Sequence, residues 1–296
     1  MPRAAPTFNM YFTLDKNMSS SSVSQKVIIV GATGNLGPHL VSAIDSDPHF
    51  QVSILSRDSS DCSKFPQHIA VHRVNNYDAS DTNLVKILTG QDVIISAIAT
   101  QAVLQQKAII DAAVKAGVKH FVPSEYGHDT RNERAAQLLP PCFFTHKKQI
   151  VEYLQSKETE GLKWTAFVTG PFFETTVAVA VKNAISAPAE IVNKYLFVES
   201  FNVSQNKILS SVESLTKAKW DVSYHDAGEQ RQLASEKLSR RDYSGLPTLM
   251  GYVTCVDGYG GDYMQYEESA NDMLSLPRES LDSALKKMEK RALKGK

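Results

Sequence analysis

The sequence predicts an α/β fold in which a doubly wound parallel sheet carries a smaller C-terminal lobe, and three observations predict it. From Lys26 onward, short apolar runs alternate with segments of helical period, the pattern of a parallel sheet covered by helices. The first run, residues 26–30 (KVIIV), reads as a buried strand. Directly behind it stands Gly31-Ala32-Thr33-Gly34-Asn35-Leu36-Gly37, a glycine-rich turn that opens into a helix.

The elements follow in order. Leu36, Leu40, Val41 and Ile44 repeat at helical spacing after the first strand. Residues 51–56 (QVSILS), 69–74 (IAVHRV) and 92–98 (DVIISAI) are the second, third and fourth strands, with right-handed crossovers between them. Within residues 108–116, Ile109, Ala112, Ala113 and Ala116 share a helical face, and Gly117 supplies the stop before a fifth strand at 119–122. A helix over 145–156 leads to a sixth strand at 164–168. After Gly170 the character changes. Residues 194–198 (KYLFV) read as a strand, 205–215 as a helix, and 281–293 as an amphipathic helix with Lys286, Lys287, Lys290 and Arg291 on its solvated face. The expected division is a disordered extension (1–25), a nucleotide-binding domain (26–173) and a lobe (174–296), with no internal repeat.

Composition narrows the classes. With 296 residues, 42% of them hydrophobic, the chain can bury one substantial core. Its formal net charge is zero, so no global field draws it to nucleic acid or to an anionic membrane, and neither is expected as a partner. No apolar run approaches the roughly 20 residues that span a bilayer. Cys62, Cys142 and Cys255 are widely separated and odd in number, which suits neither a disulfide framework nor a zinc site and points to the reducing cytoplasm. The first 25 residues lack a secretory apolar core and hold Arg3 as their only arginine, too few for a transit peptide. Met18, before Ser19–Ser22, is an alternative start.

Chemistry concentrates at the glycine turn. Glycines there let the backbone approach a pyrophosphate, while the helix N-terminus offers unpaired N–H groups and a favourable dipole. A turn of this kind can serve helix packing alone. Its position between buried strand and helix favours the NAD(P)-binding Rossmann reading, with Gly31, Ala32, Thr33, Gly34, Asn35, Leu36 and Gly37 on the cofactor. In NAD sites an acidic residue ends the second strand. Here Ser56-Arg57 stand there, and a guanidinium fork with a neutral hydroxyl suits the 2′-phosphate of NADP(H). The alternative is a surface Arg57, with Asp58 on the ribose.

Most short-chain dehydrogenases place a tyrosine four residues before a catalytic lysine. Four before Lys147 stands Phe143, which cannot exchange a proton. The glycine turn, Phe121-Val122-Pro123-Ser124-Glu125-Tyr126-Gly127 and the helix pattern Lys147-x-x-Ile150-x-x-x-Leu154 resemble, in that order, the isoflavone-reductase-like (NmrA-like) branch of atypical short-chain dehydrogenases/reductases. The likeness runs over residues 26–173 and more loosely over 194–220. It implies an NADP(H)-dependent oxidoreductase with Lys147 as the catalytic lysine and Phe173 beside the nicotinamide. Phe143, Ile150 and Leu154 put Lys147 on the inward face and leave its neighbour Lys148 toward solvent. Thr169-Gly170-Pro171-Phe172-Phe173 follows the sixth strand at the carboxyl edge, where Phe172 either closes the core or meets a ligand. No H-E-x-x-H or G-x-S-x-G occurs, so neither a metal site nor a hydrolase is expected.

Two departures from the family bear on function. Val151 stands where an arginine is frequent, and residues 175–193 are few for a segment that usually supplies a helix and a further strand. One element is expected to be missing, uncovering apolar surface on the neighbouring helix and strand. The functional expectation is an NADPH-dependent reductase of a small aromatic or conjugated substrate, with Lys147 handling a proton. The alternatives are an NADP(H)-sensing regulator that reports to a protein partner and a shortened, inactive relative.

Overall fold

The computed structural model describes residues 24–78, 80–171 and 174–294. All but the last two residues of the expected N-terminal extension therefore lie outside it. The strands are β1 (Gln25–Val30), β2 (Phe50–Arg57), β3 (Ala70–Val74), β4 (Val93–Ser96), β5 (His120–Val122), β6 (Lys163–Val168) and β7 (Lys194–Phe197). They form a seven-stranded, wholly parallel sheet in the order β3-β2-β1-β4-β5-β6-β7. The helices are α1 (Gly37–Asp45), α2 (Thr82–Leu88), α3 (Gln106–Ala116), α4 (Glu133–Ala136), α5 (Thr145–Ser156), α6 (Glu174–Ser186), α7 (Pro188–Ile191), α8 (Gln205–Thr216), α9 (Ala227–Ser239), α10 (Leu246–Cys255) and α11 (Leu281–Lys294).

The alternation of β1 explains why its whole run is apolar. Val27 and Ile29 face one layer with α1 and α6, whereas Ile28 and Val30 face the other with α2, α3 and α5. Both faces are covered, so every position must be apolar. The strand order reverses between β1 and β4, which puts a crevice at their carboxyl ends, the place where open α/β sheets bind ligands. A separate cluster of Ala135, Leu139, Phe144, Ala234, Leu249, Val253 and Tyr259 holds the helical lobe together.

Three expectations need correction. Gln25, assigned to the extension, pairs with Phe50 and opens β1. The sheet does not end with the expected domain at residue 173, because β7 pairs with β6 and α6 packs against α1. Finally, residues 174–193 contain two helices, α6 and the short α7, and no strand, but α6 is not left bare. Val177, Ala178, Ala180, Val181, Ala184 and Ile185 are all buried, because their spacing matches the groove beside α1. Exposed apolar side chains fall at Trp220, Val222 and Tyr224, among others, and at Tyr266 and Met273 along β7.

Candidate functional site

The turn after β1 separates the roles of its glycines. Gly31 has φ +80°, and a Cβ there would lie 2.4 Å from the Ala97 carbonyl oxygen, so the loops after β1 and β4 touch at the crevice and only glycine fits. Gly37 is equally constrained, with a Cβ 2.4 Å from the Ala32 carbonyl oxygen. Gly34 differs: its Cβ would meet only Gly31 O at 3.4 Å and Ala97 O at 3.8 Å, ordinary contacts. Packing within the chain therefore demands the outer glycines and leaves the middle one unexplained. The first turn of α1 has no side-chain cap and no acidic residue, and Pro38 is its second residue. That end presents N–H groups and positive dipole to an anion. Ala32 and Leu36 are buried beneath the turn, while Asn35 is exposed.

At the end of β2, Arg57 is exposed and Ser56 is buried, with its hydroxyl accepting from the Cys62 thiol at 3.5 Å. Arg73, opposite Ser56 on β3, was missed in the sequence reading. Its Nη1 donates to the carbonyls of Arg57, Asp58 and Ser60 at 3.0–3.1 Å and shapes the turn that carries Arg57.

The loop after β5 is built around a buried amine. Lys147, on α5, is 8% exposed, whereas Lys148 beside it is half-exposed and reaches Glu133 at 3.9 Å. Lys147 Nζ donates to the Glu125 carbonyl at 2.6 Å and lies within 3.5 Å of the Tyr126 carbonyl. Burial pushes its ammonium pKa down, with Glu125 and Cys142 pulling it back. The Glu125 carboxyl is fully buried, and burial raises it to about 7 against the opposing pull of Lys147. Thr130 Oγ1 donates to one of its oxygens at 2.6 Å, while the other has no partner among the described residues. This loop joins the crevice: Ser124 Oγ donates to the carbonyl of Ile98 at 2.9 Å, one residue past Ala97, against which Gly31 packs in the loop after β4. On the other side the Gly127 carbonyl accepts from Thr169 and Gly170 N–H at 2.8 and 2.9 Å. The turn, the loop after β4, the β5 loop and Lys147 thus form one wall along the carboxyl edge.

The sequence profile of the NmrA-like family matches residues 23–211. The chain belongs to the NmrA-like family. A protein of Aspergillus flavus named oxidoreductase aprR is 46% identical over 291 residues, covering 88% of this chain and 97% of its own. Since 88% of 296 residues is fewer than 291, that relative has residues with no counterpart here. The isoflavone reductase homolog IRL of Zea mays is 32% identical over 160 residues, 51% of this chain and 50% of its own, so the NmrA-like chain spans about half of this plant relative. Among solved structures, an isoflavone reductase superposes with a TM-score of 0.70 at 19% identity, covering 90% of this chain and all (100%) of that one. The leucoanthocyanidin reductase–NADPH complex of Vitis vinifera gives 0.63 at 17%, over 80% of this chain and 88% of that one. At these identities the likeness is one of fold.

Phe173 lies outside the described residues of the NmrA-like chain. Beyond Glu125, the sequence reading also missed His128 and Arg131. His128 is buried against Phe144 and shares a hydrogen bond with Thr254 of α10, and burial lowers its pKa to about 4. Arg131 forks onto Asp129, reaches Glu267 at 2.7 Å and lies over the rings of Tyr195 and Phe197, fastening the lobe to β7. Only the run of Glu125, His128, Asp129 and Arg131 straight after a buried strand could have signalled this. Two cavities, of about 560 and 740 Å³, sit against Arg131 and along β7, and Lys147 lines neither.

Proposed function

We propose that the chain is an NADP(H)-dependent reductase of a small aromatic or conjugated substrate, with Lys147 as its proton-handling group. The observation that carries this reading is the buried Lys147 amine on the same carboxyl-edge wall as a glycine turn whose middle glycine has no packing role. The name of the Aspergillus flavus relative and the NADPH of the Vitis vinifera complex support it.

In this reading Gly31 to Gly37, with Ala32, Thr33, Asn35 and Leu36 between the glycines, hold the pyrophosphate, and the space over Gly34 admits it. Arg57 holds the 2′-phosphate with a charge-assisted fork, on a turn set by Arg73. Ser56 adds a hydrogen bond only by turning its hydroxyl from Cys62. Phe173 is the aromatic expected beside the ring. The bound nicotinamide supplies the hydride. Lys147, its ammonium destabilised by burial, gives or takes the balancing proton on the substrate, directly or through water. The carbonyls of Glu125 and Tyr126 fix the amine in place.

The test is a screen of conjugated carbonyl and aromatic substrates followed by NADPH absorbance. Turnover is expected, and Lys147→Met should cut it about 10²–10⁴-fold, the usual share of a general acid–base group, with NADPH affinity kept. Turnover unaffected by that change would sink the assignment. One observation favours a second reading, an NADP(H) sensor: the cavities against Arg131 and along β7 do not reach Lys147. A sensor would hold NADP⁺ more tightly than NADPH and turn nothing over, whereas a reductase holds NADPH at least as well.

A further inference from the structure

The segment between α8 and α9 has a strand's pattern and no sheet. Trp220, Val222 and Tyr224 alternate with Asp221, Ser223 and His225, the period that puts one set of side chains on one face. Residues 219–226 run without turn or bend and pair with no strand among the described residues. The apolar set is 55%, 44% and 83% exposed. A contiguous aromatic patch on an extended chain with free backbone groups is half of a ladder.

The two edges of this strap are not equivalent. The Trp220 backbone N–H donates to Glu213 Oε1 at 3.2 Å, so that edge is turned toward α8, while the indole N–H donates to Thr216 at 3.3 Å and leaves the residue 55% exposed. In an extended chain, successive N–H groups point to opposite edges. Those of Asp221 and Ser223 therefore point away from α8, onto the open side.

We propose that the strap pairs with the strap of a second copy of this chain, antiparallel about a twofold axis through Val222. Three features select this partner. In that register Trp220 stands opposite Tyr224 of the partner subunit and Val222 opposite Val222 of the partner subunit. These are non-hydrogen-bonded positions, where facing side chains lie closest. The ladder bonds then fall to Asp221 and Ser223, whose N–H groups are the ones on the open edge, and each carboxylate meets a hydroxyl. The charges also match: Lys217 opens the strap and Asp226 closes it, and antiparallel pairing brings basic start to acidic end, while Lys219 is held by Glu213 of its own α8 at 2.6 Å. Centring the axis on Asp221 would set two carboxylates face to face, and a slip of one residue would split the aromatic stripe between faces. The contact is isologous, and it is smaller than the ~1,200 Å² of stable interfaces, so it forms and dissociates with concentration.

The experiment uses the full chain. Trp164, the other of its two tryptophans, is 2% exposed, so a concentration-dependent change in emission reports Trp220. Sedimentation from about 1 to 100 µM, the range for a weak contact, should show monomer passing to dimer with a blue shift of emission. Val222→Arg should abolish both while circular dichroism stays unchanged. In a Cys255→Ser background, which removes the exposed native thiol, Val222→Cys should cross-link on mild oxidation and Ser223→Cys should not. A monomer at every concentration overturns the proposal. So does a dimer that survives Val222→Arg, or one that Val222→Cys fails to cross-link, as when the strap sits on the open edge of β7.

Discussion

The loops after β1 and β5 share the carboxyl edge of the sheet and are made in opposite ways. The first achieves its shape by leaving side chains out: Gly31 and Gly37 bring backbone against backbone, and its one polar resource is the bare end of α1. The second brings charge inside, with the Glu125 carboxyl and Asp129 buried four residues apart and Lys147 of α5 buried against the Glu125 carbonyl. Shape by omission is tolerant of pH and intolerant of a methyl group. Buried charge is the reverse, since each ionised group must be compensated and its protonation state moves with the surroundings.

The largest effect expected from this contrast is steric. Gly31→Val forces a side chain onto the Ala97 carbonyl and an unfavourable φ, and should cost about 3 kcal/mol or more. Gly34→Val should leave the melting temperature nearly unchanged and abolish NADPH binding. Melting curves paired with NADPH titration separate the two; equal destabilisation by both would mean that the turn is only packing. Arg57→Ala comes next, weakening NADPH binding by about 1.5–3 kcal/mol while leaving NADH untouched, as loss of one charge-assisted phosphate contact predicts. Titration of both cofactors checks it, and unchanged NADPH affinity returns the ribose to Asp58.

The smallest effect belongs to the buried carboxyl. Glu125 titrates near 7 in the fold and near its ordinary 4.5 in the unfolded chain. Between those values the folded protein holds a proton that the unfolded chain has lost, so stability falls as pH rises from about 4.5 to about 7 and stays reduced above. Glu125→Gln removes that loss. Its stability relative to the parent should therefore grow steadily between pH 5 and pH 8, in the direction set by a folded value of about 7 that already contains the attraction of Lys147. A difference that is flat across that range, in urea unfolding, would mean the carboxyl is not the titrating group.

The same contrast governs what could be read in advance. All seven strands were legible, the central ones because a strand covered on both faces must be an apolar run, and the glycine turn announces its own geometry. Lys147 was placed on the inward face by Phe143, Ile150 and Leu154, four residues before it and three and seven after. Glu125, His128 and Arg131 were not, since a charged residue is ordinarily at the surface, and the partners of His128 and Arg131, Thr254 and Glu267, come from elsewhere in the fold. Helix α2 escaped notice because it has only two buried residues, Leu84 and Leu88. The misplaced apolar surface has a similar cause. Shortening could be read from length alone, but which segment would be left uncovered depends on what packs where, and α6 found α1.

The strand order bears on how the chain is made. β2 joins β1, β3 joins β2, β4 takes the free side of β1, and each later strand joins its predecessor. Every strand leaving the ribosome thus meets an edge already formed by residues synthesised before it, and none must insert between two others. The exception is in the layers. α1 is complete at Asp45, but its partner α6 begins at Glu174, a delay on the order of ten seconds at ordinary synthesis rates. For that interval the outer flank of α1 is open to chaperones and to other nascent chains.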